Sequence, residues 1–594
     1  MEDRRELDTQ GRPAAVADDL DVAVVGGGVS GAYVAWRLQT AAIDELGASL
    51  GDLARARAAR RLRVGLFEYG DRIGGRLFSL TLPGVPDTPV ELGGMRFLNS
   101  HTRVLALVRH FSLEYRELAV EDPGGRHLFY LRGRHFTGAD WGQPAFEPPY
   151  RLERGERTRS PGSLLVETAI RHREDVERFP ERYRDVGFWN LLLQECSDQA
   201  YQLIRDAGGY HTLVSNWSAA EAIPFLLADF AIDSKYFALQ KGFETLPREL
   251  HREFEAAGGT TRFRHRLHRL DRDGGGIRLT FDTGDPAKFR TGRRLQEEVS
   301  CRARHVVLAM PRRAIELLHP DSFIFDSAQF EEDVRSVLPQ PGFKIFTAYR
   351  RPWWKATKGV TAGRSVTDLP IRQCYYWVTG SDQAPNSVLM ASYSDGMSVE
   401  YWAGLARRGP RYEPPPPAWP PAVALPGPAD DLRGTVASAP LVDELQRQLR
   451  ELHGLSDVKD PAGAQILPPY VAVFKDWAQE PFGGGWHFWK IGVNVPLVMR
   501  RMERPLSDAP LYICGEAWSR QQGWVEGALQ TADAVLERQL SVSPPAWMRD
   551  VAAADAPGGP PARFALTPAP AAKRSSQSPS GYHAAGGRWQ YRSV

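Results

Sequence analysis

The sequence predicts an α/β protein built on a Rossmann-like sheet, and three observations carry that expectation. An apolar run, Asp21–Val25, ends in Gly26-x-Gly28-x-x-Gly31 and leads directly into helical Ala32–Leu38. Between Pro161 and Ile232 the apolar residues recur every three or four positions, the period of packed helices. Near the C-terminus a buried strand, Pro510–Cys514, is again followed by a helix, Gly523–Leu540.

Each element follows from its local chemistry. Arg63–Glu68 alternates apolar residues and forms a second strand. Pro89–Met95, Gly124–Phe136 and Val360–Pro370 are strands or loops of weak period. Pro247–Ala257 is a helix, followed by strand-like Arg262–Leu270, Ile277–Asp282 and His305–Met310, and Leu441–Leu452 is an amphipathic helix. Proline is the compositional outlier, at 45 of 594 residues, with nine in Pro410–Pro428 and eight in Pro544–Pro579. Such density forbids helix and central strand, so Ala406–Arg433 reads as irregular chain and Ser543–Val594 as disordered. No internal repeat is present.

Charge narrows the function classes. There are 74 Lys and Arg against 72 Asp and Glu; so even a balance makes neither nucleic acid nor a membrane the expected partner. Residues 1–20 hold no apolar export segment, and nowhere do eighteen apolar residues run together, so a cytoplasmic protein is expected. Cys196, Cys301, Cys374 and Cys514 are too scattered for a disulfide framework or metal site. No metal is expected.

The glycines of the first turn have mechanical roles: Gly26 for the tight turn, Gly28 for close approach to a diphosphate, Gly31 for helix–strand packing. Glu68 ends the next strand, where an acid holds a ribose hydroxyl. It lies 37 residues after Gly31, and the excess over the usual spacing fits a helical insertion around Ala42–Arg61. Beyond it, Glu68-Tyr-Gly-Asp-Arg72-Ile-Gly74-Gly75-Arg76 supplies further glycines flanked by arginines, suited to a second diphosphate contact.

That run resembles the FAD-binding signature of the flavin amine oxidase superfamily. Ala509–Ala532, Phe263–Asp271 and His305–Pro311 resemble further blocks of the family in the same order. The resemblance spans roughly residues 20–540. It implies non-covalent FAD, since Trp486 stands where relatives with a linked flavin carry cysteine. It places Glu68, Arg72, Gly75, Arg76, Gly94, Met95 and Arg96 along the cofactor, Leu267 at the adenine through its backbone, and Glu516 at the ribityl or pyrophosphate region. Trp524 lies against the flavin, and the Val525 N–H faces flavin O2. The implied domains are an arm at 1–19 and an FAD-binding domain at 20–100, 241–318 and 503–542. A substrate domain covers 101–160 and 319–502, including the Pro-rich loop 406–433. A helical subdomain at 161–240 and a tail at 543–594 complete the interleaved α/β architecture.

Within the superfamily the chain is most similar to L-amino acid oxidases. Val90–Arg96 and Ser365–Tyr376 resemble the segments that grip the substrate carboxylate, through Arg96 and Tyr376. A planar guanidinium and a phenol suit that task, and a one-residue slip would present Tyr375 instead. Arg96 could otherwise pair a core acid, and the tyrosine could simply pack. Lys344, among Phe343, Ile345 and Phe346, matches the lysine that holds a water near flavin N5; a strand lysine more commonly snorkels to solvent. Trp477, Trp486, Trp489, Trp518 and Trp524 crowd 48 residues, as in an aromatic-lined pocket or a core. Trp524 is the implied wall over the substrate, the Gly523 carbonyl the acceptor for its amine, and His487 a second wall residue, a polar contact or a structural residue. The implied reaction moves a hydride from Cα of an L-amino acid to flavin N5, giving 2-oxo acid, ammonia and hydrogen peroxide, with molecular oxygen as the second substrate. The rivals are an amine or polyamine oxidase, a flavin monooxygenase forming an amide, and a flavin-binding scaffold without turnover. Oligomeric state is not fixed by the sequence, and a homodimer stays open.

Overall fold

The computed structural model describes residues 19–548 apart from 142, 216, 231–233, 285, 287–296, 382, 416–431, 456–465, 467 and 480. Residues 1–18 and 549–594, which hold most of the expected arm and tail, lie outside the described residues, as does the centre of the Pro-rich segment.

Val22–Val25 is fully apolar and buried because it runs through the middle of a seven-stranded sheet. The sheet order is Thr260–Arg262, Val64–Phe67, Asp19–Val25, Glu297–Leu308, Gly276–Thr283 and His265–Asp273, with Leu511–Ile513 also pairing Glu297–Leu308. The contacts of Asp19–Val25 on both sides are parallel, as are those of Thr260–Arg262 and Leu511–Ile513, which makes this half Rossmann-like. The remaining two strands form an antiparallel hairpin. The strand expected from Arg262 to Leu270 is interrupted at Arg264, whose φ of +59° turns the chain from one sheet edge to the other.

Helix Val29–Thr40 covers one face of the sheet, and helices Thr245–Ala256 and Val525–Ala534 pack on it. The insertion before Glu68 is a 3-10 turn, Ile43–Glu45, and helix Ala48–Arg55. A second seven-stranded sheet runs Val471–Asp476, Gly342–Tyr349, Ser387–Asp395, Gln373–Val378, Arg364–Thr367, Leu128–Leu131 and Arg134–Thr137. Helices between Pro161 and Asp229 pack against this second sheet, in one core where Trp217, Leu203 and Ile223 join Phe129, Leu131 and Val366. Among the described residues no helix is long and apolar enough to cross a membrane.

Two boundaries differ from expectation. The chain from Ser543 to Met548 is packed rather than free: Trp547 stacks on His110 with centroids 4.3 Å apart, Met548 is buried, and Arg37 Nη2 donates to the Ser543 carbonyl at 2.9 Å. Aromatic burial outweighs the two prolines that suggested disorder. The Pro-rich segment is likewise pinned at both ends. Ala406 closes helix Met397–Ala406, and the Tyr412 N–H donates to the Ala437 carbonyl at 2.8 Å. Arg433 donates to the Glu244 carboxylate at 2.9 and 3.0 Å.

Candidate active site

The glycine turn separates close packing from open space. A Cβ on Gly31 would fall 1.8 Å from the Gly26 carbonyl oxygen, so only glycine lets the helix approach the strand. A Cβ on Gly28 would meet nothing within 4 Å, and its φ of −72° suits any residue. Gly28 therefore answers no packing demand of the protein itself; the open space beside it is what close approach of a diphosphate needs. The second glycine loop docks on the first, with the Gly74 N–H donating to the Gly27 carbonyl at 2.8 Å and Gly75 beside Gly28. Glu68 accepts from the Gly27 and Gly70 N–H groups at 2.6 and 2.7 Å. Burial pushes its carboxyl pKa up against those two bonds. Leu267 lies on the edge strand two residues past His265, whose N–H donates to the Glu68 carbonyl at 3.0 Å.

The two arginines of this region part ways. Arg76 lines a central cavity and donates to Glu516 at 2.7 Å. Arg72 is occupied by its own loop: it donates to the Leu77 carbonyl at 2.9 Å, to the Gly75 carbonyl and to Glu244 at 3.2 Å. In this structure Arg72 braces the turn, and Arg76 is the arginine of the pair that lines the cavity.

The cavity gathers Gly94, Met95, Arg96, Lys344, Gly523, Trp524 and Val525 from segments hundreds of residues apart. Lys344 Nζ donates to the carbonyls of Glu91 at 3.1 Å and Gly93 at 2.6 Å and sits 4.5 Å from the Tyr393 ring centroid. Burial lowers its pKa to about 7, with Glu91 opposing and Arg96 assisting. The Arg96 guanidinium stacks 4.1 Å above the Tyr236 ring, and its buried Nη1 has no hydrogen-bond partner. Its electrostatic neighbours are the phenols of Tyr375, Tyr236, Tyr210 and Tyr393. A buried guanidinium N–H left unpaired is costly, and an incoming anion would satisfy it.

Three expected residues stand elsewhere or serve otherwise. Tyr376 faces away from Arg96; its hydroxyl pairs with Ser365 Oγ at 2.7 Å and His453 Nε2 at 3.1 Å. Strand alternation puts Tyr375 on the Arg96 side, and Tyr210 and Tyr393 supply the phenols that line the cavity. His487 is turned inward by the same alternation. Trp486 and Phe488 line the cavity, while His487 Nδ1 lies 3.0 Å from Glu516 Oε2. Glu516 itself accepts from Arg76, from the His487 ring, and from the N–H groups of His487 and Gly523, both at 2.8 Å. Four protein donors meet its two oxygens, so in this structure it ties those groups together.

Asp229 escaped the sequence reading. It ends helix Ala219–Asp229 and lines the cavity together with Trp524. Burial raises its carboxyl pKa to about 7, with Arg96 and Trp524 pulling down. The available signal was a lone acid in the apolar run Pro224–Ile232. Trp524 also meets His101 edge-on at 4.9 Å.

Residues 51–536 match the family model of flavin-containing amine oxidoreductases, more than half of the chain. The chain belongs to that family. As a member it is a flavin-dependent oxidoreductase, and the open cradle at Gly28 together with Arg76 fits the cofactor this family carries. Among curated relatives of this amine oxidoreductase, aplysianin-A of Aplysia kurodai is 27% identical over 558 residues, covering 88% of this chain and 90% of that protein. Achacin of Lissachatina fulica is 26% identical over 87% and 93%. An L-amino-acid oxidase of Bothrops moojeni is 22% identical over 65% and 70%. Putrescine oxidase, solved with putrescine bound, superposes with a TM-score of 0.58 at 15% identity, covering 88% of this chain and 100% of that one; the likeness is one of fold.

Proposed function

We propose that this chain is an FAD-dependent L-amino acid oxidase, converting an L-amino acid, water and oxygen to a 2-oxo acid, ammonia and hydrogen peroxide. The observation that carries this reading is the unpaired Nη1 of Arg96 in the cavity wall. A substrate with an anionic group answers it best, and the L-amino-acid oxidase among the relatives supports the choice. Bound at this cavity, FAD would supply the hydride acceptor and the route for electrons to oxygen. Arg96 fixes the carboxylate, the Gly523 carbonyl receives the amine, and Trp524 walls the substrate in. Lys344 is held by two carbonyls at the cavity wall, where its ammonium can order water. No cysteine among the described residues lines the cavity, which supports non-covalent binding.

The test is anaerobic mixing of the flavin-loaded protein with a panel of L-amino acids, following flavin absorbance. Bleaching is expected; its absence with every member of the panel would sink the reading. A second reading, oxidation of a plain amine, is favoured by one observation. Asp229 offers a carboxylate to a cationic substrate within the same cavity. Putrescine and other amines therefore belong in the panel.

A further inference from the structure

The Gly523 carbonyl can receive a substrate amine only if its peptide is held still, and the structure shows what holds it. Gln521–Trp524 is a turn closed by the Trp524 N–H donating to the Gln521 carbonyl at 3.3 Å. Gly523 is its third residue at φ +80°, while Gln522 has no positive φ, the pattern of a type II turn. The Trp524 N–H and the Gly523 carbonyl share one peptide plane, so the turn bond also sets the direction of that carbonyl. The preceding plane is fixed by the Gly523 N–H on Glu516 Oε1 at 2.8 Å.

Glu516 is in turn fixed by His487, through the ring at 3.0 Å and the backbone N–H at 2.8 Å. An ionised carboxylate only accepts, so His487 Nδ1 carries the proton and donates. Both residues are buried, at 1% and 6% exposure, so neither contact is exchanged for water. Neutrality of the ring agrees with this, since burial pushes the His487 pKa down despite Glu516.

We propose that His487 is a positioning residue for the substrate amine, acting through Glu516 on the Gly523–Trp524 turn. The same carboxylate holds Arg76, so one buried acid ties the cofactor arm to the amine acceptor. The role rests on the reading of Gly523 as amine acceptor, which an L-amino acid and a plain amine share.

The test uses the flavin-loaded full chain and compares His487→Leu, which removes the ring donor, with His487→Asn, which retains a side-chain N–H. Hydrogen exchange at the Gly523 amide is the first measurement and needs no substrate. Loss of one buried charge-assisted bond predicts exchange faster by about tenfold or more in His487→Leu, returning toward wild type in His487→Asn. The second measurement is steady-state kinetics on whichever substrate bleaches the wild type. KM should rise about tenfold in His487→Leu with a smaller change in kcat, and His487→Asn should restore it. Unchanged exchange, or a loss of melting temperature with KM intact, overturns the proposal. Failure of the L-amino acid reading shows separately, as a wild type bleached only by amines, on which the same kinetic comparison is made; a wild type that nothing bleaches overturns the amine role, while exchange still reports whether His487 holds the turn.

Discussion

A guanidinium ringed by four phenols and a single acid has few ways to meet an incoming substrate, and each makes a measurable difference. Arg96→Leu removes two charge-assisted bonds at roughly 1.5–3 kcal/mol each, so kcat/KM for an L-amino acid should fall about a hundredfold or more. A plain amine should be almost unaffected. Asp229 gives the pH dependence. With its pKa raised to about 7, it is neutral below that pH and does not compete with a carboxylate at Arg96. Above it, the ionised group repels the carboxylate, so KM for an L-amino acid should climb through about pH 7. Lys344 in the same cavity loses its charge over the same range, so Asp229→Asn should lessen that climb and leave the part due to Lys344. For an amine substrate the sign reverses, because ionised Asp229 attracts the cation, so a KM that drops with rising pH would favour amine oxidation.

At the scale of the element, the first glycine turn separates two kinds of glycine. Gly31→Ala drives a methyl into the Gly26 carbonyl and should lower the melting temperature, since overpacking costs about 1–3 kcal/mol. Gly28→Ala should fold with an unchanged melting temperature yet hold flavin about tenfold less tightly, as read by titration of the stripped protein. Much of this element was legible, because strand, glycines and helix are contiguous in sequence. That Arg96, Gly523 and Trp524 line one cavity was legible from the motifs around them. Tyr376 and His487 were not, because a strand's two faces differ by one residue and sequence spacing does not say which face meets the cavity. Asp229, Tyr210 and Tyr393 carry no motif; their meaning comes from segments that meet only after folding.

For the whole molecule, the interleaving of a mixed sheet with a second sheet and the helices packed on it follows the order of sequence blocks, and the C-terminal return of Leu511–Ile513 to the first sheet was readable as strand then helix. Domain ends were less legible, since two prolines next to Trp547 look like disorder until His110 is seen beneath the indole. Deleting residues 549–594 should leave flavin content and melting temperature unchanged. Deleting from residue 543 strips Trp547 and Met548 from the helix Val29–Thr40 and should lower the melting temperature, since each buried side chain of this size is worth about 1.5–3 kcal/mol. Equal melting temperatures for the two truncations would refute the packed boundary. At the Pro-rich segment, the chain leaves through Tyr412 and returns through Ala437, two residues already bonded to each other. Its two exits are therefore one point in space. Lengthening a loop whose mouth is fastened costs only about 0.6 kcal/mol per doubling. That makes the stretch between Tyr412 and Ala437, whose flanking residues do not line the cavity, a natural port for grafting a whole folded reporter.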